Sequence, residues 1–243
     1  MDWHGARQMR THTIKTLLFA VTFYFANLFA LYSQQVNQEE FIKVALWAET
    51  DAYPGAFPSD GDISPSDDMF EYPRSRLREL APFILEGMVY GWEFEYTPSD
   101  KARGVAEYFE FRPIVPFESA YGTFGWSAPW IADNAVWVWL EFARTDAMQR
   151  YYRMWQSVNF KKITGCGYAP LSQGFDGIRQ AYEEAMKLAV REYARTIEKN
   201  KPKEITGKVL LTGTPRLYTD SGRYAADLDF LLDIGRIIPY TQF

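Results

Sequence analysis

Beyond residue 33 this 243-residue sequence contains no histidine, because both of its histidines, His4 and His12, lie near the N-terminal end. That absence removes Ser-His-Asp and Cys-His catalysis and any histidine general base from the remaining chain. Cysteine is nearly absent as well, with Cys166 the only one. A single cysteine forbids an intrachain disulfide, so stability has to come from a packed core. The two absences together exclude a Cys/His zinc site and the soft ligands that transition metals prefer, so no metal or other cofactor is expected. A phosphate-binding fingerprint is missing too. Gly165-Cys166-Gly167 is too short, and no Gly-Lys-Ser or Gly-Lys-Thr follows it. Carboxylates, Tyr, Lys, Ser and Thr are what remains for chemistry.

Long apolar runs are also scarce. The one that occurs spans Thr16 to Ser33, preceded by Arg7, Arg10 and Lys15 and followed by Gln34, Gln35, Asn37 and Gln38. Basic, then apolar, then polar is the order of a secretory signal, and residues 1–33 are expected to be a signal peptide. Met9 offers an alternative start with a shorter basic segment. Cleavage is expected near residue 30–33, after Ala30 or Ser33, although Leu28 or Leu31 then occupies the minus-three position where a small residue is usual. An uncleaved anchor is the alternative reading, and eighteen residues sit at the short end for a spanning helix. The folded part is thus expected outside the cytoplasm, periplasmic or secreted, with no membrane span in the mature chain. No cysteine lies near the signal to carry a lipid. Without residues 1–33 the chain has 23 basic and 30 acidic residues, a balance that argues against nucleic acid and anionic membrane surfaces as partners.

What the sequence has in abundance is aromatic side chains: 8 Trp, 16 Tyr and 18 Phe, or 17% of the chain. Ordinary hydrophobic (47%) and charged (23%) fractions point to a globular protein with a real core. Residues 34–80 read as short helices around an acidic loop. Asn37 and Glu40 suggest a capped helix over 37–49 with Phe41, Val44, Ala45 and Ala48 at helical spacing. A second short helix is expected over 74–81. Between them, residues 51–70 mix Pro, Gly and Ser with five aspartates and no basic residue. Asp60, Asp62, Ser64, Ser66, Asp68 and Glu71 fall at calcium-loop spacing, but Pro65 stands where the sharp turn takes Gly. A solvated acidic loop is therefore the expectation.

Residues 81–156 read as an aromatic-rich β region. Met88, Tyr90, Trp92, Phe94 and Tyr96 alternate with smaller or polar residues, which predicts a half-buried strand. Pro98-Ser99-Asp100 supplies turn chemistry, and a strand over 105–114 completes a hairpin. After a Gly/Ser/Pro loop, residues 135–142 predict another strand. Residues 146–156 fit either a short helix capped by Thr145 or a continuing strand. Residues 157–243 then read as a β-α-β-β module. An extended segment ends at Gly165-Cys166-Gly167. A strong amphipathic helix follows over 176–199, with the stripe Ile178, Tyr182, Ala185, Met186, Ala189, Tyr193 and Ile197. A hairpin turning at Thr219-Asp220-Ser221-Gly222 closes the chain. The fold class is α+β.

Three functional readings follow from these residues. The aromatics Trp126, Trp130, Trp137, Trp139, Tyr151 and Trp155 are candidates for an interaction surface, with envelope proteins as partners. Flat aromatic faces also stack on sugars, so a glycan (peptidoglycan) binding module is the alternative. Carboxylate pairs such as Glu93 with Glu95 and Asp227 with Asp229 leave a carboxylate-only hydrolase as a third reading. But acids two apart on a strand are also what a solvent face looks like, and no catalytic residue is assigned.

The segment Ile163-Thr164-Gly165-Cys166-Gly167-Tyr168-Ala169-Pro170, followed by a helix carrying Ala181, Ala185, Ala189 and Val190, resembles one type of bacterial envelope module. It is similar to the N-terminal domain of the flagellar H-ring accessory protein FlgT and to related small envelope lipoproteins. In these a strand ending in Gly-x-Gly-x-Ala leads into a long Ala-spaced helix and then antiparallel strands. The resemblance covers about residues 163–235 and lacks the lipid-carrying cysteine. It implies an exported, non-catalytic structural or interaction protein of the cell envelope, as part of a larger periplasmic assembly.

Overall fold

The computed structural model describes residues 39–51, 70–117, 123–157, 159–198 and 200–240. The expected signal peptide and residues 52–69 of the acidic loop, Asp60, Asp62, Asp67 and Asp68 among them, lie outside these residues. The chain falls into two units, Met1–Phe41 and Ile42–Phe243, and the account that follows concerns the second.

Helices combined with antiparallel sheets make this an α+β protein. A five-stranded sheet has the order β3-β2-β8-β9-β7, built from β2 (Trp92–Thr97), β3 (Tyr108–Pro113), β7 (Lys161–Pro170), β8 (Glu204–Asp220) and β9 (Arg223–Ile238). Every pairing in it is antiparallel. The C-terminal strands and the 92–113 hairpin form one sheet, so the sheet runs across the boundary expected at 156/157. A second, four-stranded sheet contains β1 (Phe41–Glu49), β4 (Gly125–Trp126), β5 (Trp130–Ala132) and β6 (Ala135–Ala143), with β6 in the middle.

Among the described residues three helices cover the sheets: α1 (Glu71–Val89), α2 (Asp146–Trp155) and α3 (Phe175–Ile197). Period-two alternation along β8, β9 and β2 puts Trp92, Phe94, Tyr96, Ile205, Val209, Leu211, Leu228, Phe230 and Leu232 on one face. All are buried in the main core with the stripe of α3. The stripe runs Ile178, Ala181, Tyr182, Ala185, Met186, Ala189 and Val190; Tyr193 is half-buried, and Ile197 is exposed. The opposite face carries Leu210 and Leu231, which α2 covers with Tyr152 and Trp155 in a separate small cluster.

Helix α3 lies unusually close to β7. A methyl added at Gly167 would stand 2.0 Å from Ala181 O and 2.3 Å from Ala185 N, and one at Gly165 would stand 2.0 Å from Ala185 O. Closest approach is therefore at Ala181 and Ala185. Ala189 sits one turn beyond, its Cβ 3.1 Å from the added methyl at Gly165.

Other expectations need correcting. Residues 41–49 form strand β1, not a helix; residues 39–40 are helical, and then the chain extends. Phe41, Val44, Ala45 and Ala48 fit a helical period, but Ile42, Val44, Leu46 and Ala48 fit period two equally well, and all four are buried, with Trp47 buried from the other face. Pairing with β6 decides between them. The helix expected at 74–81 runs from Glu71 to Val89, so Met88 belongs to it and β2 starts only at Trp92. Gly91, with φ +81°, ends α1: its N–H reaches back to Glu86 O at 2.8 Å. The strand expected over 105–114 is shorter, Tyr108–Pro113, although its hairpin pairing with β2 holds. Thr145 does cap a helix, accepting from Met148 N. The cap brings the buried Arg144 to the end of α1, where its guanidinium donates to Met88 O at 2.9 Å and lies 4.3 Å from the Tyr152 ring. A cation at a helix C-terminus meets the negative end of the helix dipole, so this contact ties α1 to α2.

Candidate interaction surface

Strand β6 reads Ala135-Val136-Trp137-Val138-Trp139-Leu140-Glu141-Phe142 and splits its side chains by face. Val136, Val138, Leu140 and Phe142 are buried, whereas Trp137 is half-buried and Trp139 and Glu141 are exposed. The partner strand β5 is placed by a two-residue turn. Asp133 and Asn134 both have positive φ, 51° and 61°, the conformation of a type I′ hairpin, which short polar side chains tolerate. That turn sets Trp130 directly opposite Trp137.

The result is a chain of tryptophans on one face of the four-stranded sheet. Trp130 stacks on Trp137 with centroids 6.2 Å apart and planes 17° apart, and lies 6.0 Å from Trp139. Trp137 in turn lies 6.0 Å from Trp47 of β1. The inner end of this chain is fixed. Trp47 is buried, donates its indole N–H to Leu217 O at 2.7 Å, and packs 6.5 Å from Tyr224. Tyr224 donates to Glu49 at 2.6 Å, and burial foremost, then that carboxylate, push its phenol far above the usual range. Leu217 and Tyr224 belong to the far end of the β8–β9 hairpin, so this end joins the two sheets. The outer end is open: Trp130 is 36% exposed and Trp139 37%. Trp137 Nε1 reaches Ala132 O at 3.3 Å, while among the described residues neither Trp130 nor Trp139 has an indole acceptor. Lys43 borders the open end, 5.5 Å from the Trp139 ring and 2.7 Å from Glu141.

The six aromatics expected to share a surface do not. Trp130, Trp137 and Trp139 do. Trp126 is 39% exposed but pairs with Leu140, which puts its side chain on the other side of the sheet, against Phe124. Trp155 is 1% exposed, held under the five-stranded sheet with its ring 4.6 Å from Phe160. Tyr151 is half-buried on the same helix and donates to Tyr90 O at 3.1 Å. Helical spacing aims Tyr151 and Trp155 at Leu210 and Leu231, away from β6. Trp47, which the sequence reading left aside, joins the tryptophan chain instead. Its signal was the period-two pattern of β1, hidden by the helical reading.

The carboxylate pairs lie on polar strand faces. Glu93 pairs with Arg112 at 3.5 Å, Glu95 stands opposite Glu110, and Asp227 pairs with Arg216 at 2.9 Å. Beside Asp227, burial foremost pushes the Cys166 thiol above its usual range, and Asp227 adds to the effect. Among the described residues no three His, Cys, Asp or Glu side chains are grouped to hold a metal ion, and no helix is long and apolar enough to cross a membrane.

An uncharacterized protein of Treponema pallidum (strain Nichols) is 30% identical over 207 residues, which cover 83% of each chain. No solved structure gives a significant match. A protein-family model matches residues 29–240, which takes in both sheets and helices α1, α2 and α3; the chain belongs to that family.

Proposed function

We propose that this protein is an exported, non-catalytic interaction protein of the bacterial cell envelope, and that a partner protein docks on the open end of the tryptophan face. The observation that carries the reading is the Trp130–Trp137–Trp139 cluster, anchored at Trp47 and open at Trp130 and Trp139. Tryptophan is enriched where interfaces hold most of their binding energy, because it removes a large apolar area from water at little entropic cost. A rigid inner end lowers that cost further, since the rings are already ordered before a partner arrives. Two sequence features support the envelope setting: the basic-apolar-polar order of residues 1–38, and the strand-helix-strand-strand arrangement of 163–235 that resembles the FlgT type of module.

The experiment has two arms. Cells expressing the tagged protein are fractionated and its N-terminus is sequenced; a start near residue 31 or 34 in the periplasmic or secreted fraction is expected. Intact Met1 or Met9 on membrane-bound protein contradicts export. In the second arm, Trp130→Ala with Trp139→Ala is expected to abolish co-purification of the partner while leaving the thermal melt close to that of the parent.

Glycan binding is the second reading, favoured by one observation: the Trp130 and Trp139 indole N–H groups have no acceptor among the described residues and can meet sugar hydroxyls. Co-sedimentation with purified peptidoglycan, lost in the same double variant, selects this reading over a protein partner.

A further inference from the structure

On the opposite side of the same sheet, between α1 and β6, lies a separate groove of about 280 Å³. Its floor and walls are Leu77, Trp126, Pro129, Val136 and Val138, and its rim carries Arg74 and Arg78. The geometry follows from local structure. Arg74 and Arg78 are four apart on a helix, so they stand one above the other on the flank of α1, beside Leu77. Ser127 bridges β4 to β6 by donating N–H to Trp139 O at 3.0 Å and accepting from Trp139 N at 2.9 Å. That bridge holds Trp126 and Pro129 as the far wall. No ion pair occupies Arg78 among the described residues.

We infer that this groove binds a small anionic amphiphile: a single short acyl or alkyl chain ending in a carboxylate. Charge complementarity selects the class. An apolar trough with the Arg78 guanidinium on its rim matches an apolar body with an acidic head, and a guanidinium fork takes a carboxylate bidentately. Size sets the length. The volume lies just below the roughly 300–1,000 Å³ typical of small-molecule sites, so a medium-length chain fits and a multi-chain lipid does not. The site is distinct from the tryptophan face, because Trp126 and Val138 point to one side of β6 and Trp137 and Trp139 to the other.

The test is calorimetric titration of the purified protein with three probes below any micellar concentration: decanoate, decanol and butyrate. Decanoate is expected to bind saturably at one site, decanol about tenfold more weakly for want of the charge, and butyrate not measurably for want of the tail. Arg78→Gln changes an exposed side chain and is expected to weaken decanoate about three- to tenfold while leaving decanol unchanged. Trp126→Ala is expected to weaken both, and circular dichroism confirms that each variant is folded. The inference is overturned if decanoate does not saturate, if Arg78→Gln weakens decanoate and decanol equally or neither, or if binding survives Trp126→Ala unchanged.

Discussion

Replacing Gly167 with alanine should unsettle the packing of α3 more than its size suggests. The backbone of Gly167 is not in the left-handed region, so alanine can adopt it, and the effect is purely one of space. The new methyl would lie 2.0 Å from Ala181 O and 2.3 Å from Ala185 N. Ordinary contact is about 3.5–4.0 Å between carbon atoms. Both obstacles are backbone atoms of a helix hydrogen-bonded on either side, so no side chain can swing away. Helix and strand must separate by roughly an ångström, loosening the contacts of Ala181, Ala185 and Met186 as well. Overpacking of this kind costs about 1–3 kcal/mol, and rigid obstacles favour the upper end. Restricting the unfolded chain returns about 0.4–1 kcal/mol. The net destabilisation should be about 2 kcal/mol, or a fall in melting temperature of about 4–8 °C for a chain of this size. Gly235→Ala is the control: it lies in β9 of the same sheet, and its methyl would meet Thr206 O at 3.5 Å, within ordinary contact. That variant should stay within about 0.5 kcal/mol of the parent. Paired urea and thermal melts, followed by tryptophan fluorescence, make the comparison. If Gly167→Ala melts with Gly235→Ala, the close packing of α3 on β7 is wrong.

Three further outcomes are expected. Ala189→Leu, at a fully buried position one turn along the same contact, should cost about 1–3 kcal/mol, while Glu184→Ala, which removes a partly exposed pair with Lys187, should cost under about 1 kcal/mol; denaturant melts of the two separate the buried stripe from the flank of the helix. Burial foremost raises the pKa of Glu86, against the opposing hydrogen bond from Phe117 N and the charge of Arg179, so ionised Glu86 weakens the fold at neutral pH and that penalty fades as pH falls through its raised pKa. Glu86→Gln should therefore be more stable than the parent at pH 7, with the gap closing toward pH 4.5 in parallel urea melts. Burial likewise raises the Cys166 pKa, so its alkylation by iodoacetamide at pH 8 should be slower than that of an unstructured cysteine peptide and should reach the peptide's rate on unfolding.

The parts of this fold legible in the sequence are those whose period has only one interpretation. Helix α3 was readable because Ile178, Tyr182, Ala185, Met186 and Ala189 fit no strand. The β8–β9 hairpin was readable because Ala226, Leu228 and Phe230 alternate with Asp227 and Asp229 just after a Ser-Gly turn. Strand β1 was not, because Val44 and Ala48 satisfy period two and the helical period together, and only pairing with β6 separates them. Helix α1 was read too short because Met88 and Tyr90 look like the start of β2's alternation. What separates helix from strand is Gly91, whose positive φ of 81° ends α1 one residue before Trp92.

The candidate surface was half legible for a related reason. Alternation shows that Trp137 and Trp139 share a face but not which face meets water. The Asp133-Asn134 turn, which turns Trp130 onto Trp137, is a signal present in the sequence that the loop reading passed over. Trp155 could not be assigned from the sequence, since the face of the sheet it meets is offered by Leu210 and Leu231, more than fifty residues away.

The central claim is that the tryptophan face is where this protein meets its partner. The most direct measurement is in-cell photo-crosslinking with a photoreactive residue at position 139, and at position 95 as an exposed control on the other sheet. The account predicts one discrete crosslinked partner at 139, lost when Trp130 is also changed to alanine, and none at 95. No adduct at 139, or the same pattern from both positions, would contradict it.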